Sequence, residues 1–226
     1  MDRYLKIGLH NHTSKYSECS EITPEELVRI SYESGLHGIV ITEHNHLWKK
    51  QEIKELKEKS VKEKLCDESF LILSGQETTA IESEGEHFHL IVIGVGFTLP
   101  AGLTIKMVID KAHSNGGVVI AAHPYRFSGL RDFFDYDIDG VEILNPNQDN
   151  KKLIEMLAGR QDKNHFALLA GDDVHHSSQI GQYCVLVPRN VKSEKGIVRA
   201  IKQKKTKPYI IDINERKRFN LLFKSI

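Results

Sequence analysis

Short apolar runs alternate with stretches of helical spacing along almost the whole chain. The first run, Ile7-Gly8-Leu9, ends in His10-Asn11-His12 and gives way to a polar loop over 13–20. Thr23-Pro24-Glu25-Glu26 then predicts a helix start, with a capping box and proline at its first position. Leu27, Ile30 and Tyr32 give that helix an apolar face, and Gly35 stops it. A buried strand follows from Gly38 to His44, and the lysine- and glutamate-rich segment 47–65 predicts an exposed helix. Strands are expected at 70–77 and, after a hairpin-like turn over 82–86, at 87–94. A helix over 104–114, strands over 118–122 and 140–145, and a helix over 151–157 come next. The strand that begins at Phe166 runs into Gly171-Asp172-Asp173-Val174-His175-His176. The tail predicts a strand over 183–187, a helix over 194–204 and a last strand over 209–213.

Strands that alternate with helices imply a parallel sheet. Most of these strands end in histidine, glutamate or aspartate, and groups at the C-terminal ends of successive strands are what a (β/α) barrel presents on its active face. An open doubly wound sheet would gather its site at one switch point instead. The pattern therefore predicts an α/β chain folded as a TIM-like barrel of about seven strand-helix units, a single domain over 1–226. Pro124 is expected to end its strand and to keep His123 extended.

Composition narrows the chemistry. Lys+Arg and Asp+Glu are both 31, so no overall field recruits nucleic acid or an anionic membrane. Three cysteines, Cys19, Cys66 and Cys184, are odd in number and lack CxxC spacing, which predicts reduced thiols serving as small core residues in a cytoplasmic protein. No targeting segment opens the chain, and no apolar run approaches the roughly 20 residues that span a bilayer. The 12 histidines matter through their positions. His10 and His12, two apart at a strand end, share one face and can hold one metal ion together.

The strand-end groups in order are His10, His12, Glu18, His44, Glu77, His89, His123, Asp173 and His175. This order resembles the polymerase and histidinol phosphatase (PHP) superfamily. The matching motifs are His10-Asn11-His12-Thr13 for HxHT, Thr42-Glu43-His44 for TDH, Gly75-Gln76-Glu77 for the bridging-glutamate strand, Ala122-His123-Pro124 for AHP, and Gly171-Asp172-Asp173-Val174-His175 for GSDAH. The resemblance covers residues 7 to 181. It implies a distorted (β/α)7 barrel and a phosphoesterase with three divalent ions, zinc, manganese or iron, held by those nine residues. It also implies a hydroxide bridging two metals as nucleophile, Glu77 between two ions, and Glu18 and Asp173 offsetting charge. Asp173, His175 and His176 are the catalytic candidates, and Arg126 is a candidate clamp for substrate phosphate. Three departures stand out: Tyr16-Ser17-Glu18 sits one residue further from the HxH than in the family, Asp172 replaces the serine of GSDAH, and His87 competes with His89.

The expected substrate is a small phosphorylated metabolite or nucleotide, with no membrane partner. Amidohydrolase-type C–N or C–O cleavage is the runner-up, but that barrel bridges its metals with a carbamylated lysine, and Glu77 stands where a lysine would be needed. Oligonucleotide cleavage lacks base-stacking aromatics in a basic groove, and a non-catalytic metal-binding regulatory domain would be missing ligands. His46, His176, Asn145 and Asn147 adjoin the site. His37, His113 and His165 read as solvated, and the basic positions Lys202, Lys204, Lys205, Lys207 and Arg216-Lys217-Arg218 as a solvated face.

Overall fold

A computed structural model describes residues 3–82, 85–160 and 165–211. Its elements are β1 (Tyr4–Gly8), α1 (Pro24–Glu33), β2 (Gly38–His44), α2 (Lys50–Lys62), β3 (Leu71–Ile81), β4 (His87–Ile93), α3 (Ile105–Ser114), β5 (Val118–Ala121), β6 (Gly140–Leu144), α4 (Asn150–Ala158), β7 (Ala167–Ala170), β8 (Tyr183–Pro188), α5 (Glu194–Lys202) and β9 (Lys207–Ile210). The nine strands form one sheet in the order β7-β6-β5-β4-β3-β2-β1-β8-β9. The sheet curls into a nearly closed barrel. At its upper rim the segment after β7 meets the segment after β1, where Asn11 bridges Val174 and His12 N–H donates to the Val174 carbonyl at 3.1 Å.

The sheet is mixed rather than parallel. β1, β2 and β3 run together, as do β5, β6 and β7, but β4 is antiparallel to both neighbours and β8 is antiparallel to β1. The short link over 82–86 explains β4, since a parallel return needs a crossover of roughly a dozen residues or more. The last strand spans Lys207–Ile210 and so begins two residues before the expected 209–213 stretch, of which 212 and 213 lie outside the described residues, as does Arg216-Lys217-Arg218.

Side-chain alternation builds the core in layers. Along β5, Val118, Ile120 and Ala122 face the barrel interior, while Val119 and Ala121 pack outward under α3 and α4. On β4, Ile91 and Ile93 point in and Leu90 and Val92 point out. A second outer layer, with Ile39, Ile41 and Ile72, is covered by α1 and α2. α1 is capped as expected, with Thr23 Oγ1 accepting from Glu26 N–H at 3.2 Å. Its buried residues, however, are Leu27, Val28 and Ser31. Tyr32 stays 38% exposed and donates to Asp67. Cys66 and Cys184 are buried, but Cys19 is exposed on the turn after Ser17 rather than in the core.

α5 fills the lower end of the barrel. Its Ile197, Val198, Ala200 and Ile201 pack with Leu5, Ile93, Val118, Ala167 and Val187, which lie at the ends of their strands away from the histidines. Among the described residues, no helix is long and apolar enough to cross a membrane.

Candidate metal centre

β3 carries Glu77 into the barrel mouth, in parallel register with His44 of β2. The Glu77 side chain is fully buried, and its two oxygens face different imidazoles. Oε2 lies 3.4 Å from His10 Nε2, 3.1 Å from His12 Nε2 and 3.1 Å from His44 Nδ1. Oε1 lies 3.0 Å from His89 Nδ1 and 3.1 Å from His123 Nε2. His89 reaches this rim from the start of β4 because that strand runs backwards. Asp173, delivered just past β7, turns Oδ1 to His10 Nε2 and His12 Nε2 at 3.4 Å each and to His175 Nδ1 at 3.6 Å. Its Oδ2 accepts from Arg126 Nη1 at 2.6 Å and Asn147 Nδ2 at 2.9 Å.

Charge and burial act together here. Burial favours the neutral carboxyl, yet His89 and His10 hold Glu77 well below the usual carboxylate range. Burial likewise works against ionised Asp173, and His10 and His12 hold it down. For His10, burial opposes the charged form, but Glu142, Glu77 and Asp173 outweigh it and raise its pKa well above the ordinary histidine value. Burial lowers His44 to about 3. The result is a cluster with ionised carboxylates at its centre.

The donor atoms fit divalent cations. Three overlapping groups each bring their ligand atoms within 4.8 Å of one another: His10, His12, Glu77 and Asp173; His12, His44 and His175; and His44, Glu77 and His89. In the first group the two histidine Nε2 atoms are 3.1 Å apart, and each lies 3.1–3.4 Å from the two carboxylate oxygens. Four donors bound tetrahedrally at about 2.0–2.1 Å stand about 3.3–3.4 Å apart. Glu77 Oε2 and Asp173 Oδ1 are also buried without a hydrogen-bond partner, which an acceptor oxygen tolerates when a cation takes its lone pair.

Eight of the nine predicted strand-end residues converge here, and Glu18 does not. Tight turns, with Ser17 N–H donating to the Thr13 carbonyl and Ser20 N–H to that of Ser17, leave Glu18 exposed. The buried carboxylate beside that loop is Glu43, which accepts from Thr13 N–H at 3.0 Å, Ser17 Oγ at 2.6 Å and Trp48 Nε1 at 3.0 Å. His176 also stays out of the centre, since its ring is exposed and pairs with Glu21 at 3.1 Å. Of the competing pairs, His87 is exposed while His89 faces Glu77. Asp172 turns away from the imidazoles, accepting from Gly181 N–H at 2.7 Å and Tyr183 N–H at 2.6 Å, and burial raises it to about 7.

Three further corrections concern histidines. His123 is not extended: its φ is +27°, because its N–H goes to Glu142 and its carbonyl to Arg126 N–H. His113 is not simply solvated, since it bonds to Asp139 Oδ2 at 2.8 Å, and His37 Nδ1 accepts from Lys6 N–H at 3.1 Å. The residue that sequence reasoning missed is Glu142, fully buried on β6 and bonded to His10 Nδ1 at 3.1 Å. A signal was available, a lone carboxylate within an otherwise apolar strand, which has to find a buried partner.

No protein-family model matches the chain. An uncharacterized protein of Methanocaldococcus jannaschii is 29% identical over 154 residues, 62% of this chain and 82% of its own. A two-domain protein from Bacteroides vulgatus containing a predicted PHP-like metal-dependent phosphoesterase superposes with a TM-score of 0.66 at 22% identity over 93% of this chain. This chain spans 66% of that protein's length. An amidohydrolase from Chromobacterium violaceum gives 0.60 at 12% identity, covering 92% of this chain and 99% of its own. The lesion-specific endonuclease EndoQ of Pyrococcus furiosus gives 0.57 at 16% identity, covering 88% of this chain and 56% of its own.

Proposed function

For a chain with the fold of the PHP-like metal-dependent phosphoesterases, we propose a metal-dependent hydrolase that cleaves a phosphate ester, its substrate a small phosphorylated metabolite or nucleotide. The whole chain is taken as one PHP-like barrel domain. The division of Glu77 carries the reading: one oxygen faces His10, His12 and His44, the other His89 and His123. A carboxylate shared in this way suits two neighbouring cations and offsets their repulsion.

His10, His12, His44, Glu77, His89, His123, Asp173 and His175 would hold more than one divalent ion of the zinc, manganese or iron class. Such ions, when bound, activate water near neutral pH and neutralise phosphoryl charge. Asp173 brings its own negative charge to the centre and ties it to Arg126 and Asn147. Arg126 keeps 39% of its side chain exposed at the rim, so its remaining guanidinium donors can meet a phosphoryl oxygen. The amidohydrolase alternative is weaker because the inward end of β3 carries Glu77 and no lysine. Oligonucleotide cleavage gains one observation, Phe127, fully exposed next to Arg126, since an exposed aromatic beside a cation suits stacking on a base.

The test is elemental analysis of purified protein together with phosphate release from a panel of mono- and diesters and a single-stranded oligonucleotide. Bound divalent metal and chelator-sensitive ester cleavage are expected. A metal-loaded protein that cleaves none of the panel, or activity that survives exhaustive chelation, overturns the reading.

A further inference from the structure

Glu142 touches the centre from behind. Its Oε1 lies 3.1 Å from His10 Nδ1, and its Oε2 accepts the His123 backbone N–H at 3.0 Å and Asn145 Nδ2 at 3.1 Å. An ionised carboxylate can only accept hydrogen bonds, so His10 must carry its proton on Nδ1. Its Nε2 is then the nitrogen left for a cation, on the side of Glu77 Oε2 and Asp173 Oδ1, once the cation displaces any proton held there. On the other side, His123 holds a φ of +27°, a conformation costly for a residue with a side chain. Its N–H bond to Glu142 helps to keep it there, with Nε2 on Glu77 Oε1.

The neighbouring strand leaves room for this carboxylate. A Cβ at Gly171 would lie 2.0 Å from Glu142 Oε1 and 2.6 Å from the His10 Cβ. Gly171 has no positive φ, so the need for glycine here is the space that Glu142 and His10 occupy. The loop after β6 holds Glu142 in turn, because Gln148 Nε2 donates to its carbonyl at 2.9 Å and Asn145 to its side chain.

We propose that Glu142 is a positioning residue that fixes the tautomer of His10 and the backbone of His123, and so sets both sides of Glu77 for metal binding. The proposal rests on the reading of the cluster as a metal centre. Outer partners of metal-bound histidines act in this way, and losing one typically costs 10–100-fold in affinity.

The discriminating variant is Glu142→Gln. Glutamine keeps the shape but offers one acceptor oxygen where three donors converge. If that oxygen serves His123 and Asn145, the amide NH2 faces His10 Nδ1 and forces the ring proton onto Nε2. Zinc affinity should therefore fall roughly 10–100-fold, as for Glu142→Ala, while the metal-free Glu142→Gln protein still unfolds in one cooperative transition. Affinity is read by competition with a chromogenic chelator, without any substrate. A measurement on unmutated protein stands beside it: nitrogen NMR of the zinc-loaded chain should find the His10 proton on Nδ1, in slow exchange with solvent. Wild-type zinc affinity in Glu142→Gln, or a His10 ring unprotonated at Nδ1, overturns the proposal and leaves the metal centre standing. A wild-type chain that binds no zinc, manganese or iron overturns both.

Discussion

Asp172 and Asp173 are adjacent in sequence and face opposite ways, the first toward the backbone N–H groups of Gly181 and Tyr183, the second toward His10 and His12. The positive φ of Asp173, +49°, accompanies this reversal. The two carboxylates should fail differently when removed. Asp173→Ala is expected to cut ester hydrolysis by two or more orders of magnitude, about 3 kcal/mol of barrier, with the protein still folded. Asp172→Ala should instead lower stability to urea by about 1–3 kcal/mol for each buried N–H left unpaired. Comparable urea midpoints for the two variants would contradict this division.

Glu77→Gln should reduce metal occupancy and turnover together. The amide keeps one ligand oxygen and no negative charge, so it cannot serve cations on both sides. Elemental analysis beside initial rates checks it, and full metal content with full turnover would remove the bridging role.

Metal uptake should release protons and tighten as pH rises. In the metal-free protein burial opposes a charged His10, but Glu142, Glu77 and Asp173 outweigh it and raise its pKa, so the ring holds its second proton to higher pH than an ordinary histidine. Loading has to displace the proton on Nε2, and a higher pH removes that competitor. The same shift predicts that metal-free stability from His10 is fully present below the ordinary histidine pKa near 6.5 and is lost as pH rises through the raised folded value. Calorimetry in buffers of different ionisation enthalpy would count the protons released. A binding constant independent of pH would contradict the assignment.

Glu18 and Glu43 offer a matched pair of controls. Glu18→Ala should leave metal content and activity within about twofold of wild type, since an exposed side chain away from the cluster contributes little. Glu43→Ala should destabilise the fold by about 1–3 kcal/mol or more, because Thr13 N–H and Trp48 Nε1–H lose their buried acceptor. Thermal melts and metal analysis of both variants check it.

His10, His12, His44, Glu77, His123 and Asp173 could be read from sequence because each follows an apolar run that fixes where it emerges, whereas His89 precedes the run of a strand that turns back. Glu18 could not, because two local turn bonds between Thr13, Ser17 and Ser20 decide which way it faces. Proline chemistry alone favours an extended His123, and the bond to Glu142, 19 positions away, overrides that preference. Glu142, a lone carboxylate in an apolar strand, signals that it needs a buried partner, but that partner, His10, is 132 positions distant in the chain. The reversal of β4 was implicit in a link too short for a crossover, yet strand alternation alone suggested a parallel sheet.

With α5 wedged into the lower end, the barrel is a cup rather than a tube. Among the described residues the lower end is filled, so a molecule on its way to Glu77 comes in over the upper lip, which carries Arg126 and Phe127, and a product leaves over the same lip. Departing and arriving molecules share one doorway, so the loops on that lip govern the traffic in both directions.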